Sequence, residues 1–97
     1  MGRLLDHLIA NRERVLDCLA RHRARNPRVF GSVARGEEVA SSDVDLLVEF
    51  DEEASLFDLF ELQDELAQLL TRPVEVATVG GLHPMIREAV IREARAL

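Results

Sequence analysis

Two aspartates in an apolar strand place the strongest constraint on this chain. Asp43 and Asp45 open a run that continues with Leu46, Leu47, Val48 and Phe50. Its near-continuous apolar character predicts a central strand over 43–50 that is covered on both faces. Residues two apart in a strand share a face, with Cα atoms about 6.5–7 Å apart, so the two carboxylates can converge. Unpaired charge in such a strand is costly, and the usual resolution is a metal ion or a cationic partner.

Length and composition predict one folded domain, spanning residues 1–97, with 47% hydrophobic residues. The net charge of −6 argues against broad nucleic-acid binding. All 12 basic residues are arginines, so phosphate recognition must use Arg, backbone N–H groups or hydroxyls. The single cysteine, Cys18, excludes an internal disulfide and a multi-cysteine metal site, and it is expected to be a small core or boundary residue. No apolar run approaches the roughly 20 residues that span a bilayer, so we expect a cytoplasmic protein without membrane contact.

Apolar spacing and breaker residues predict the order αβαβαβα, a small sheet flanked by helices. We class the fold as α/β in the α+β sense, with three or four strands. In the first half of the chain we predict a helix at 3–24 ended by Asn26-Pro27, a strand at 28–30, a turn at 31–36, a polar loop at 37–42 and the strand at 43–50. In the second half we predict a helix at 55–70 with a capping box of Ser55 and Asp58, a strand at 74–79, and a helix from Pro84 to about Ala96.

The helical stripes predict which side chains enter the core. On the helix at 55–70 the predicted core stripe is Leu56, Leu59, Phe60, Leu66, Ala67 and Leu70. Phe57, Leu62 and Leu69 widen that stripe, which indicates either a partner interface or a second core contact. On the last helix the predicted buried side is Met85, Ile86, Ala89, Val90 and Ala94. His83, before Pro84, is interpreted as a helix-start residue. The arginine-rich run at 21–28 is either a solvated helix end or an anion-attracting rim.

The aspartate pair and the preceding glycine turn together suggest phosphate chemistry. Two carboxylates with open positions suit Mg²⁺ held jointly with substrate phosphates, and two such ions can stabilise both the entering and the leaving oxygen at phosphorus. Gly31 permits close backbone approach, Ser32 offers a hydroxyl, and Arg35 and Arg28 can neutralise phosphate charge. Taken singly, each motif has an ordinary alternative. A Gly-Ser turn is common, and Asp43 can cap the strand entrance while Asp45 pairs with an arginine.

In combination, these motifs resemble the minimal nucleotidyltransferases of the DNA polymerase β–like superfamily, small proteins of the MntA antitoxin type. The resemblance rests on Gly31-Ser32-Val33-Ala34-Arg35-Gly36 followed by Ser42-Asp43-Val44-Asp45-Leu46, and it extends to the strand at 74–79 and the helix after Pro84. It implies the nucleotidyltransferase fold, with a mixed sheet and a third carboxylate on the third strand. That position holds Glu75, where the family usually has Asp.

The resemblance also implies an activity and a site. A hydroxyl attacks the α-phosphate of ATP or another nucleoside triphosphate, nucleotidyl is transferred and pyrophosphate leaves. Asp43, Asp45 and Glu75 are the implied catalytic and metal-binding residues, with two Mg²⁺ ions. Gly31, Ser32, Arg35 and Ser42 are the implied nucleotide-binding residues.

Three functions remain open on the sequence. The first is a protein adenylyltransferase that modifies a tyrosine of a HEPN-type toxin and acts as its antitoxin. The second is a binding module that neutralises the toxin by complex formation, because Glu75 departs from the family pattern and the helix at 55–70 carries a wide apolar stripe. The third is a small-molecule nucleotidyltransferase of the antibiotic-modifying type, against which the absence of a second domain weighs.

Overall fold

The computed structural model describes residues 3–39 and 42–97. Residues 40 and 41, in the predicted loop at 37–42, lie outside this description. The elements in chain order are α1 (Arg3–Ala10), α2 (Arg12–Arg21), β1 (Ala24–Phe30), α3 (Gly31–Ala34), β2 (Val44–Phe50), α4 (Leu56–Leu70), β3 (Val74–Ala77), α5 (Pro84–Glu93) and β4 (Arg95–Ala96). No helix within the described ranges has both the length and the apolar character needed to cross a membrane.

The four strands form one mixed sheet in the order β3-β2-β1-β4. β1 runs antiparallel to both β2 and β4, whereas β2 and β3 are parallel. The parallel pair is joined by α4, as a parallel crossover requires. The predicted mixed α/β fold is confirmed, with the short β4 as its fourth strand, and β2 is a central strand as predicted.

The two faces of the sheet carry cores of very different size. The larger core packs α1, α2 and α4 against Val44, Leu46 and Val48 of β2. On the opposite face, Leu47 packs with Leu82 and Val90, the latter from α5. Because side chains alternate along a strand, Asp45 shares the Leu47 face, which is the thinly covered one.

The first helix and first strand differ from the prediction. The predicted helix at 3–24 is interrupted at Asn11, whose side-chain amide donates to the His7 carbonyl at 2.9 Å, and α2 ends at Arg21. An asparagine amide that bonds to helix carbonyls competes with the backbone ladder. Arg23 then adopts a left-handed conformation (φ 61°), and β1 starts at Ala24.

Asn26 and Pro27 do not terminate a helix; they lie within β1. The pairing of β1 with β2 shifts register between Arg25 and Arg28, and Asn26 has φ 56°. A bulge tolerates proline, which has no N–H to donate to the ladder. The proline-based prediction of a helix end at this point was therefore wrong, because a strand bulge accommodates the same dipeptide.

The capping box of α4 is present, and the Ser55 backbone N–H donates to Asp58 Oδ2 at 2.9 Å. The predicted core stripe of this helix is only partly correct. Leu56 and Phe60 are 70% and 55% exposed, whereas Leu62, predicted only to widen the stripe, is fully buried with Leu66. The helix is thus rotated relative to the predicted stripe, because it must cover the sheet along its Leu62–Leu66–Leu70 side.

The last helix is more exposed than predicted. Val90 is buried, but Met85 and Ile86 are 87% and 49% exposed, and the helix ends at Glu93 before β4. His83 is the N-cap residue as predicted, and its Nδ1 accepts from the Met85 N–H at 3.1 Å. The thin core on this face leaves most of α5 in solvent.

Candidate active site

The carboxylates lie where β2 and β3 run side by side. Asp45 and Glu75 are direct partners in the parallel register, and Asp45 also pairs with Phe30 of β1. Val44 and Leu46, on either side of Asp45, are fully buried on the opposite face. The buried neighbours anchor the strand, so the position of Asp45 is set by the core beneath it.

Like charges surround the half-buried Asp45. Burial, followed by the neighbouring Glu75 and Asp43 carboxylates, raises the pKa of its carboxyl group from 3.8 to about 6. Arg35 opposes them only weakly, as the last of the contributions. Asp43 is exposed and immediately precedes β2, while Glu75 is exposed on β3. The structure therefore places Asp45 close enough to Glu75 and to Asp43 for both carboxylates to raise its pKa. Within the described part of the chain, the three side chains do not converge to within 4.8 Å of one another as a preformed set of metal ligands.

Gly31 contacts Asp45 because it has no side chain. A Cβ atom added at Gly31 would overlap Asp45 Oδ2 and would lie 3.3 Å from its Cγ. Gly31 also has φ +74°, a conformation that side chains disfavour. The positive φ and the contact with Asp45 both favour glycine here, and the contact shows that the Gly-Ser turn lies directly against the Asp45 carboxylate.

Ser32 follows in α3, a helix of four residues whose Val33 and Ala34 are buried. Its half-buried position places it beside Gly31 at the same edge of the sheet. The two buried residues hold this turn in the large core. The predicted role of Ser32 in nucleotide binding stays a prediction.

Arg35 belongs to a network that the sequence analysis missed. Its guanidinium pairs with Glu37 at 2.7 Å and with Glu93 of α5 at 3.0 Å. Glu93 Oε1 also accepts the Gly31 N–H at 2.9 Å. Glu93 therefore ties α5 to both ends of the glycine turn. No local spacing indicates this contact, since 62 residues separate the two partners.

Ser42 has a structural role in the loop that leads to Asp43. Its hydroxyl accepts the Val39 N–H at 2.8 Å, and its carbonyl accepts from Arg72 Nη1 at 3.0 Å. These bonds set the path of the chain into β2. Its predicted role in nucleotide binding stays a prediction.

Two cavities help to separate site residues from others. Arg28 lines one together with Leu16, Glu49 and Leu97, none of which is a predicted site residue. Glu38, Val39, Arg72 and their neighbours line another, beside the Ser42 loop. Neither of these two cavities includes Asp43, Asp45 or Glu75. Asp43 and Glu75 are exposed and Asp45 is half-buried, so a ligand can reach the carboxylates from solvent.

The arginine-rich run is largely neutralised by the chain's own acids. Arg21 pairs with Glu65 at 2.8 Å, and Arg25 pairs with Asp51 at 2.6 Å. Arg23 similarly pairs with an acidic residue of the turn after β2. These side chains are about half exposed or more, so the pairs add little stability. The ion pairs agree better with a solvated surface than with an anion-binding rim.

Comparisons with known proteins by sequence and by fold indicate a single family. Residues 13–97 match the nucleotidyltransferase domain family. MJ0435 of Methanocaldococcus jannaschii, a predicted protein adenylyltransferase, is 37% identical over 83 residues, covering 86% of this chain and 89% of its own length. The protein adenylyltransferase MntA of Thermococcus cleftensis is 43% identical over 65 residues, covering 67% of this chain and 66% of its own.

Solved structures of other proteins share the fold of this chain. A structure described as a minimal nucleotidyltransferase superposes with TM-score 0.81 at 47% identity, covering 96% of this chain and 93% of its own. A complex of a tri-AMPylated Shewanella oneidensis HEPN toxin with its MNT antitoxin matches with TM-score 0.67 at 17% identity, covering 91% of this chain and 69% of the matched one, a likeness of fold alone. The chain therefore belongs to the nucleotidyltransferase domain family and is a nucleotidyltransferase with the minimal form of that fold.

Proposed function

We propose that this chain transfers AMP from ATP, in preference to another nucleoside monophosphate, to a hydroxyl group of a partner protein. The observation that carries this proposal is the group formed by Asp43, Asp45 and Glu75, in which burial and like charges raise the pKa of Asp45 to about 6. Clustered carboxylates beside a glycine turn are suited to a phosphate substrate that arrives with cations. The names of the related protein adenylyltransferases support a protein as the acceptor.

The three carboxylates fit a hard divalent ion such as Mg²⁺. All of the donors are oxygens, and at neutral pH a cation between them would relieve the repulsion that raises the pKa of Asp45. Asp43, Asp45 and Glu75 would hold the metal, with two ions proposed. When bound, the metal supplies charge neutralisation to the entering and leaving oxygens of the displacement.

The chain's own residues then orient the reactants. The acceptor oxygen forms a bond to the α-phosphorus while the bond from that phosphorus to the bridging oxygen of pyrophosphate breaks. Glu75, exposed and in register with Asp45, is placed to take the proton of the acceptor hydroxyl. Ser32 donates its hydroxyl to the departing phosphates, and Gly31 allows them to approach the backbone. Arg35, which pairs with Glu37 and Glu93, is proposed to bind a substrate phosphate in place of one of these carboxylates.

We propose a HEPN-type toxin as the partner, with this chain as its antitoxin. The shared fold with the antitoxin in the AMPylated toxin complex supports this assignment. An apolar surface formed by Leu56, Phe57 and Phe60 is available for contact, with exposed fractions of 70%, 78% and 55%. Clustered exposed aromatic and aliphatic side chains are typical of protein contact sites.

The same apolar surface favours a second candidate, neutralisation of the toxin by complex formation alone. Under that function, Leu56, Phe57 and Phe60 provide the affinity and the carboxylates are dispensable. Glu75, longer by one methylene than the usual Asp, would then reflect a weakened site, since misplacement by about 1 Å can cost about 10²-fold in rate.

Labelling of a partner separates the two candidates. The protein is incubated with α-labelled ATP, Mg²⁺ and the HEPN-type product of a neighbouring gene, and it is compared with the Asp43→Asn/Asp45→Asn variant. Asp64→Asn, which changes an exposed aspartate on α4, is the matched control. We expect label on the partner with the wild type and the control, and none with the double variant. Tight binding without label in all three proteins would refute transfer and leave complex formation.

A further inference from the structure

A second group of possible metal ligands lies between α2 and α4. Cys18 and His22 are one helical turn apart, and Glu65 faces them from α4. Glu65 Oε2 lies 3.1 Å from Cys18 Sγ, and Glu65 Oε1 lies 3.1 Å from His22 Nε2. The sulfur, the nitrogen and a carboxylate oxygen all lie within 4.8 Å of one another. One ion placed between them can reach all three.

His22 provides an independent indication of a ligand. The residue is only 6% exposed, and its Nε2 atom is buried without a hydrogen bond of adequate geometry, despite its nearness to Glu65. Buried ring nitrogens are normally paired, because an unpaired one is costly. On the other side of the ring, Glu61 Oε2 lies 4.0 Å from Nδ1. At this distance Glu61 lies near the second ring nitrogen but beyond hydrogen-bond range, so it does not by itself orient the ring.

The donor set selects the kind of ion. One sulfur, one imidazole nitrogen and one carboxylate oxygen suit a borderline ion such as Zn²⁺ and disfavour Mg²⁺, which prefers oxygen. The Glu65 side chain is 43% exposed, and a surface cavity lined by Asp17, Cys18, Arg21, Glu65 and Gln68 opens at the group. Water can therefore reach a fourth position. We propose that Cys18, His22 and Glu65 bind one Zn²⁺ ion that fastens α2 to α4.

Ion binding must displace two existing interactions. Glu65 now accepts from Arg21 at 2.8 Å and from the Cys18 thiol, and burial, followed by this carboxylate, raises the pKa of Cys18 to about 12. The thiol must release its proton to solvent when the metal binds, so binding strengthens as pH rises. Arg21 is 61% exposed and can turn into solvent without leaving a buried charge. The competing interpretation is a simple polar contact between two helices, without affinity for metal.

The proposed zinc site is separate from the carboxylates of the active site. Cys18 packs in the large core with Val44 and Leu46, whereas Asp45 projects from the opposite face of β2. The sheet therefore separates the two sites. Zinc binding can be measured in a protein whose active-site carboxylates have been removed.

We would test the site by Zn²⁺ titration of the Asp43→Asn/Asp45→Asn protein against a chromophoric chelator. One equivalent should bind, and Cys18→Ser should lower the affinity by about 10²-fold or more. Asp17→Asn, which lines the same cavity without being a ligand, should leave the affinity unchanged. Glu65→Gln alters a partly exposed side chain, provides a second ligand variant if Cys18→Ser fails to fold, and should also weaken binding.

Cobalt gives a direct readout of the sulfur ligand. In the parent, which is the Asp43→Asn/Asp45→Asn protein, Co²⁺ should produce a thiolate-to-metal charge-transfer absorption. The same absorption should appear in Asp17→Asn but not in Cys18→Ser. Zn²⁺ should also raise the unfolding temperature of the parent more than that of Glu65→Gln, because an ion that binds only the folded state stabilises it. Equal Zn²⁺ affinity in the parent and in Cys18→Ser, or a Co²⁺ complex without the charge-transfer absorption, would overturn the proposal and leave an ordinary helix contact.

Discussion

Asp45→Asn is expected to make the protein more stable at neutral pH in the absence of divalent metal. Burial and the neighbouring Glu75 and Asp43 carboxylates raise the pKa of Asp45 from 3.8 to about 6. At pH 7.5 the folded protein must hold this carboxylate ionised among like charges, and the unfolded chain need not. An asparagine of nearly the same shape removes that charge and can still donate to Glu75.

The magnitude follows from the pKa difference between the folded and unfolded states. A difference of about 2 in pKa corresponds to about 3 kcal/mol at about 1.4 kcal/mol for each tenfold change. Asp45 is only half-buried, so solvent screening reduces this figure, and we expect about 1–2 kcal/mol. For a domain of this length, that gain corresponds to a rise of about 5–10 °C in unfolding temperature.

The pH dependence of stability checks independently that Asp45→Asn is more stable than the wild type and not less stable. Below the unfolded pKa of about 4, Asp45 is protonated in both states and costs nothing. The cost develops as pH rises and is complete above the folded pKa of about 6. The advantage of Asp45→Asn should therefore vanish near pH 4 and be full at pH 7.5.

Thermal unfolding followed by circular dichroism in EDTA, from pH 4 to pH 7.5, measures this effect. Asp64→Asn, an exposed aspartate on α4, is the control and should stay within about 0.5 kcal/mol of the wild type at each pH. Added Mg²⁺ should stabilise the wild type but not Asp45→Asn. A variant equal to or less stable than the wild type at pH 7.5 in EDTA would refute the claim that like charges strain this site.

Substitutions at three further positions test the scaffold by chemical denaturation, two of them with a control variant. Gly31→Ala should lower the free energy of unfolding by about 2–4 kcal/mol, because the alanine would combine a disfavoured φ with overlap at Asp45. Gly80→Ala is the control and should be neutral, because the space around Gly80 is open. Equal losses of stability in the two variants would contradict the contact between Gly31 and Asp45. Glu93→Gln should lower the free energy of unfolding by about 1 kcal/mol, because it weakens the charged hydrogen bonds to Gly31 and Arg35. Unchanged stability would show that Glu93 does not fasten α5 to the glycine turn. Leu62→Ala should cost about 2–5 kcal/mol and Leu56→Ala almost nothing, and the reverse order would show that the predicted stripe was right.

Local patterns predicted the elements whose causes are local. The apolar run at 44–50 became the central strand, and Ser55 with Asp58 formed the predicted capping box. Asn26-Pro27 shows the limit of this reasoning. Proline excludes a helix interior but is compatible with either a helix end or a strand bulge, and only the pairing of β1 with β2 decided between them.

Burial of amphipathic helices was predicted less well, because a wide apolar stripe does not define its own orientation. Leu56 and Leu62 are equally apolar, yet one is 70% exposed and the other is fully buried. Packing of α4 against the sheet determines which of these two side chains is buried. The prediction for α5 was right for Val90 but wrong for Met85 and Ile86, because the small core on that face buries Val90 and leaves the other two exposed.

By itself, the sequence determined the chemistry available to this protein: an aspartate pair two residues apart on a strand, a glycine-serine turn before it, and arginine as the only strong cation. Only the tertiary structure decided which groups meet. The register of β2 with β3 sets Glu75 beside Asp45, the end of α5 brings Glu93 to Gly31, and helix packing joins Cys18 to Glu65. These contacts join residues from 30 to 62 positions apart, as Asp45 with Glu75 and Gly31 with Glu93 show. Backbone periodicity reaches only a few residues along the chain, whereas sheet order and helix packing decide which distant side chains share a site.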